Sequence, residues 1–169
     1  MSALQKKICL LGTFGVGKTS LVRRFVENHF DDKYLSTIGV KVSRKHLVAA
    51  SRELDLLVWD LANAEELGPL EKNYFRGAHG ALVVHDLTRP ESCARLAAYC
   101  ERFLALAPRA RLVFAGNKLD LLDTPPPSPQ AYQAFTAGFS APHFFTSAKT
   151  GAQVEQAFHA LAEAILAAP

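Results

Sequence analysis

Apolar runs alternate with segments of helical periodicity along most of the chain. Lys6 to Leu11 closes on Ile8-Cys9-Leu10-Leu11 and reads as a buried strand. Leu21, Val22, Phe25 and Val26 then recur at the spacing of one helix face, predicting a helix from Gly17 to about Asn28. His29 to Ser36 is polar and loop-like. An alternating stretch from Thr37 to about Ala50 and a second run, Leu54 to Leu61, predict an antiparallel pair with its turn near Ser51-Arg52-Glu53. A loop and weak helix follow from Ala62 to Phe75. Ala81 to His85 and Leu112 to Ala115 are continuous apolar runs of the kind that parallel strands show when both faces are covered. Pro90 predicts a helix start, with Leu96, Cys100, Phe103 and Leu104 inward as far as Leu106. Prolines between Asp123 and Pro129 exclude helix or central strand there. A short helix at Tyr132 to Ala137, a strand at His143 to Phe145 and a closing helix at Ala152 to Leu166 complete the pattern.

Strand–helix alternation broken by one antiparallel hairpin predicts a doubly wound α/β sheet, with ligands at the carboxyl ends of the strands. A length of 169 residues allows one domain, over 1–169. The net charge of +3 gives no reason to expect nucleic acid as a partner. Lys41, Arg44, Lys45, His46 and Arg52 are locally basic, which suits either a protected strand edge or a surface for an acidic partner. Cys93 and Cys100 are seven apart and are expected on one helix face, but with Cys9 they suggest neither a disulfide framework nor a zinc site. No signal core, bilayer-length run or C-terminal lipid-bearing cysteine is present, so a cytoplasmic location is expected, with any membrane recruitment through a partner.

The chemistry concentrates after the strands. Gly12-Thr13-Phe14-Gly15-Val16-Gly17-Lys18-Thr19-Ser20 joins the first strand to the first helix, the context in which G-x-x-x-x-G-K-[ST] forms a phosphate cradle. Its glycines let backbone N–H groups close on a polyphosphate, and the new helix points its positive end at the anion. Lys18 supplies a charge for the β- and γ-phosphates, and Thr19 a hydroxyl for Mg²⁺. Asp60, ending the third strand, can reach Mg²⁺ through water. Asn117-Lys118-Leu119-Asp120 follows the fifth strand. An Asp carboxylate accepts two hydrogens from the N1 and N2 edge of guanine, whereas adenine lacks the exocyclic amine there. Ser147, Ala148 and Lys149 follow the last strand, where a backbone N–H can meet guanine O6 while the stems of Lys118 and Lys149 cover the ring.

In these motifs the chain resembles a small GTPase of the Ras superfamily, and most closely its Rab branch, over about residues 6–166. The resemblance is carried by Gly-Val-Gly-Lys-Thr-Ser at 15–20, Ser-Thr-Ile-Gly-Val at 36–40, Trp-Asp at 59–60, Tyr-Phe-Arg-Gly-Ala-His-Gly at 74–80, Asn-Lys-Leu-Asp at 117–120 and Thr-Ser-Ala-Lys-Thr-Gly at 146–151. It implies the P-loop NTPase fold, a mostly parallel six-stranded sheet with one antiparallel strand and helices on both faces. It implies a switch that binds GTP and GDP with Mg²⁺. It also implies that Phe30 lies edge-on to guanine, Tyr34 covers the phosphates, and Thr37 ligates Mg²⁺ and senses the γ-phosphate. Effector, exchange-factor and activating proteins are expected on residues 34–45 and 61–76, and a monomer is expected. His79 and His85 read as scaffold.

The departures carry as much information. Leu61-Ala62-Asn63-Ala64-Glu65 stands where the family pattern has Thr-Ala-Gly-Gln-Glu. Ala64 therefore replaces the glutamine that orients the attacking water, and a methyl group cannot do that. Asn63 stands where a glycine N–H meets the γ-phosphate. Phe14 occupies a position that is small in Ras and would obstruct an arginine finger. Glu65 and Glu66 are weaker substitutes for positioning water, being shifted along the chain. Lys41-Val42 replaces the acid and aromatic of the Rab pattern, so standard Rab partners are not expected. Composition fits a prokaryotic relative. Three readings follow: a switch with slow hydrolysis, a constitutively GTP-bound interaction module, or turnover completed by a partner in trans.

Overall fold

The computed structural model describes residues 2–32, 39–61, 68–132 and 136–169. Its strands are Leu4–Leu11 (β1), Val40–Ala49 (β2), Arg52–Leu61 (β3), Gly80–Asp86 (β4), Arg111–Asn117 (β5) and His143–Phe145 (β6). They form one six-stranded sheet in the order β2-β3-β1-β4-β5-β6. Every neighbouring pair is parallel except β2 with β3. The α-helices whose bounds lie among the described residues are Lys18–Glu27 (α1), Glu71–Phe75 (α2), Leu96–Leu106 (α3) and Val154–Ala167 (α4).

The period of two along the central strands divides their side chains between two cores. Ile8 and Leu10 of β1, Leu82 and Val84 of β4, and Val113 and Ala115 of β5 pack with α1 and α4. Cys9 and Leu11, Ala81 and Val83, and Leu112 and Phe114 pack on the opposite face with α3 and Phe75 of α2. Both faces are covered, which is why these strands read as unbroken apolar runs. Stacking of Phe25 on Phe158, centroids 4.0 Å apart, locks α1 to α4. Burial pushes the Cys9 and Cys100 thiols up to about 12, so both behave as small apolar residues.

The mostly parallel sheet and its single antiparallel pair are as expected, with strand ends moved by one to three residues. Three local expectations need correction. The hairpin turns at Ala50-Ser51, both at positive φ (48° and 60°), rather than at residues 51–53. The two-residue turn with φ positive twice is the one whose twist matches a hairpin, here without the usual Asn or Gly. Pro90 opens only a 3₁₀ turn, Pro90–Cys93, because Asp86 and Ser92 draw the backbone into side-chain hydrogen bonds before α3 begins. Cys93 therefore lies in that turn and does not share a helix face with Cys100. Most of the short helix expected over 132–137 lies outside the described residues; Thr136 is helical, and 3₁₀ turns flank the segment at Pro129–Tyr132 and Ala137–Phe139.

β2 is an edge strand, and its basic residues are partly spent within the fold. Arg44 and His46 both bond Asp55 of β3, which is buried. The His46 hydrogen bond and then that of Arg44 hold the Asp55 carboxyl below its ordinary value. This favours the strand-edge reading of the cluster over a free surface for an acidic partner. Among the described residues no helix is long and apolar enough to cross a membrane.

Candidate functional site

The sheet gathers its motifs at the carboxyl ends of β1, β3, β4, β5 and β6. After β1 the chain turns through Gly12–Gly17 and starts α1 at Lys18. Two glycines there are dictated by close approach. A Cβ on Gly12, at φ 150°, would lie 2.4 Å from the Val84 carbonyl oxygen. A Cβ on Gly17, at φ 99°, would lie 2.3 Å from Asn117 Nδ2. Gly17 also precedes α1 without a side-chain cap, and the first turn of α1 holds no acid. Such a helix start leaves its backbone donors for an anion. Lys18 Nζ donates to the Gly12 carbonyl at 2.7 Å, so its ammonium lies across the loop. Val16 is buried, Gly15 and Ser20 are half-buried, and Phe14 is 54% exposed.

Thr19 Oγ1 donates to Asp60 Oδ2 at 2.7 Å, joining α1 to the end of β3. Asp60 is 1% exposed, and its Oδ1 has no hydrogen-bond partner among the described residues. Burial raises the Asp60 carboxyl above its ordinary value, with Thr19 and the nearby Lys18 pulling the other way. An orphaned buried carboxylate oxygen beside a hydroxyl is a hard oxygen donor set, and it fits Mg²⁺. Tyr34, Thr37, Asn63 and Ala64 lie outside the described residues, as do Glu65 and Glu66.

The other half of the site is closely interlocked. Asn117, last in β5, donates from Nδ2 to the Val16 carbonyl at 3.0 Å and accepts from Thr146 Oγ1 at 3.1 Å. It thereby ties the phosphate loop to the segment after β6. Ser147 Oγ donates to Asp120 Oδ1 at 2.7 Å, so a buried hydroxyl orients an exposed carboxylate. Lys118, at φ 69°, places its ammonium 2.9 Å from Asp86. Ala148 is buried. The carbonyls of Ala148 and Lys149 both accept from Arg24 of α1, at 2.7 and 2.5 Å. Phe30 packs half-buried against the α1–α4 core.

Three residues of this network were not singled out from the sequence. Arg24 secures the last loop, Asp86 receives Lys118, and Arg89 reaches both Asp86 and the Phe14 carbonyl. A charged residue ending the apolar run of β4 was the visible signal for Asp86. His79 and His85 are scaffold. His79 Nδ1 accepts the Lys7 N–H at 3.0 Å, and His85 Nε2 lies 2.7 Å from His143 Nε2. Of the stretches expected to meet partners, residues 39–45, 61 and 68–76 are described. There Val42 pairs with Trp59 across the hairpin, Tyr74 lies beside Trp59, and Lys7 Nζ sits 3.8 Å from the indole centroid.

A glycine loop entering a helix, an acid across from its Thr, and two further loops at the same sheet end define a phosphate-loop nucleotide-binding protein. Residues 7–167 match the model described as "Ras family". The chain is 34% identical over 160 residues to the Ras-related protein RABD2c of Arabidopsis thaliana, covering 94% of this chain and 79% of that one. It is 33% identical over 160 residues to the GTP-binding protein YPTM2 of Zea mays, with the same coverage. The chain belongs to the Ras family.

Proposed function

We propose that residues 1–169 form one small-GTPase domain acting as a guanine-nucleotide-binding switch, with Mg²⁺-dependent GTP binding and slow intrinsic hydrolysis. The observation that carries the binding half is the bridge from Val16 through Asn117 to Thr146, with Asp120 held by Ser147 beside it. That one hydrogen-bonded network joins the glycine loop to the 117–120 and 146–149 segments supports assigning all three to a single nucleotide. Gly12, Phe14, Gly15, Val16, Gly17, Lys18, Thr19 and Ser20 would surround the phosphates, with Tyr34 and Asn63 above them. Phe30, Asn117, Lys118, Asp120, Ser147, Ala148 and Lys149 would surround the base. Thr19, Asp60 and Thr37 would hold Mg²⁺, which when bound neutralises phosphate charge.

Slow hydrolysis rests on Ala64, whose methyl group cannot orient water. Release of the γ-phosphate would loosen the segments around Thr37 and Asn63, and effector, exchange and activating proteins would read that change through residues 34–45 and 61–76. Membrane recruitment would then come through such a partner. Phe14, exposed on the loop, favours a second reading in which the chain is a constitutively GTP-bound module: its ring would obstruct an activator's arginine. Turnover completed in trans would require a partner that brings its own water-positioning group past that ring.

The test is to denature freshly purified protein and identify the released nucleotide by chromatography, then to compare single-turnover hydrolysis in the parent and Ala64→Gln. GTP should predominate, and the glutamine should raise the rate about 10–100-fold. Equal rates in the two proteins would remove slow hydrolysis from the proposal. Release of neither GTP nor GDP, with no uptake of either, would remove nucleotide binding.

A further inference from the structure

Asp86 ends β4 with a carboxylate 1% exposed, and two cations meet it. Lys118 Nζ lies 2.9 Å from Oδ2, and Arg89 Nε donates to the same oxygen at 3.1 Å. Oδ1 accepts the Thr88 N–H at 2.8 Å and the Thr88 hydroxyl at 2.6 Å. Burial opposes ionisation of Asp86, but the bonds from Lys118, Thr88 and Arg89 outweigh it and hold the carboxyl below its ordinary value. Lys118 belongs to the base-reading motif. Arg89 points the other way along the site: its Nη2 donates to the Phe14 carbonyl at 3.0 Å. The same Nη2 lies 3.5 Å from where a Cβ on Gly15 would stand.

We propose that Arg89 is a positioning residue for the nucleotide's diphosphate, acting through the Phe14–Gly15 peptide of the phosphate loop. This rests on the guanine-nucleotide reading above. In a planar trans peptide the carbonyl and the following N–H point in opposite directions. Fixing the Phe14 carbonyl toward Arg89 therefore aims the Gly15 N–H to the other side of the loop, as a phosphate donor. The guanidinium suits the task because Nε and Nη2 form one edge of a rigid fork, one donor for Asp86 and one for the carbonyl. A lysine ammonium keeps the charge but not that two-point geometry. Arg89 also places a positive charge beside the loop.

Arg89→Ala should weaken GDP binding about tenfold, the scale of one charge-assisted hydrogen bond at a partly exposed site, and speed GDP release to match. Affinity for GMP, which has no β-phosphate, should change less than about twofold. Arg89→Lys should restore less than half of the loss on a logarithmic scale. The measurements are equilibrium competition titrations with GDP and GMP on the full chain, with fluorescent GDP release alongside. Equal losses for GDP and GMP would overturn the proposal, since Arg89 would then act on the base side through Asp86 and Lys118. Unchanged GDP binding would overturn it as well. Should Arg89→Ala not fold, Arg89→Lys decides: it must lower the GDP-to-GMP affinity ratio, and an unchanged ratio refutes the idea. A parent protein that binds neither nucleotide would refute the guanine-nucleotide reading instead.

Discussion

The two ends of the site are built differently. At the proposed base end the key polar groups are tied to the protein: Asn117 to Val16 and Thr146, Asp120 to Ser147, Lys118 to Asp86, and the loop carbonyls to Arg24. At the proposed metal end Thr19 bonds one oxygen of Asp60, while the other is buried without a partner among the described residues. A buried polar atom with no partner costs free energy, on the order of 1–3 kcal/mol, unless something arrives to meet it. The base end is thus preorganised by the fold, and the metal end is organised for completion by a ligand. Specificity for the base should therefore fail by loss of a shape already present, and metal dependence by loss of a donor.

The largest expected effect follows from the base end. Asp120→Ala removes the carboxylate while leaving Asn117 and its two bonds in place. GDP affinity should fall on the order of 10³-fold, because a site built to hydrogen-bond its ligand loses the pairing outright. The parent should prefer GDP to IDP, which lacks the 2-amino group, and the variant should not. Isothermal titration with both nucleotides checks this. A retained preference would mean that the base is read elsewhere.

Asp60→Ala tests the other end. The loss of GTP affinity in millimolar Mg²⁺ should be about 100-fold, but removing Mg²⁺ should then change little more. In the parent, EDTA should release nucleotide. A variant that still responds to EDTA as the parent does would place the metal away from Asp60 and undo the contrast between the two ends.

How much of this was legible in the sequence follows from the range of each interaction. The phosphate loop, Asp60, the 117–120 motif and the 146–149 motif were legible because each is a short word after an apolar run. Their meeting at one sheet end follows from the α/β alternation alone. The links between the words were not. Asn117 meets Val16 across 101 residues and Arg24 meets Ala148 across 124. No periodicity encodes such contacts. Nor does any motif mark Arg89, a lone cation before Pro90. Local hydrogen-bond competition also hid the 3₁₀ turn at Pro90–Cys93, since Ser92 bonds backbone that a helix would have used. The Ala50-Ser51 turn was displaced because neither residue carries the usual mark of positive φ.

The smallest expected effect on nucleotide binding at neutral pH concerns what supports the proposed base end from below. His85 of β4 and His143 of β6 meet over Gly116 of β5, where a Cβ would lie 3.0 Å from the His85 ring. Tyr132 stacks on His143 with centroids 4.5 Å apart. Burial, then the neighbouring His143, lowers His85 to about 3, and burial lowers His143 to about 4. Both rings are therefore neutral in the folded protein, one donating and one accepting. Their folded values lie below the ordinary 6.5, so the unfolded chain binds more protons between about pH 6.5 and pH 3. The contribution is fully present above 6.5 and is lost as pH falls through that window. Each ring should contribute about 2 kcal/mol less to stability at pH 5 than at pH 7, measured by urea denaturation. The double variant His85→Phe/His143→Phe should show a shallower slope over the same range. If the base end is the part that acid loosens, GDP release should accelerate before the bulk of the helical signal is lost. Simultaneous loss of both would mean that the two ends share one cooperative unit, and that their difference lies in ligand chemistry alone.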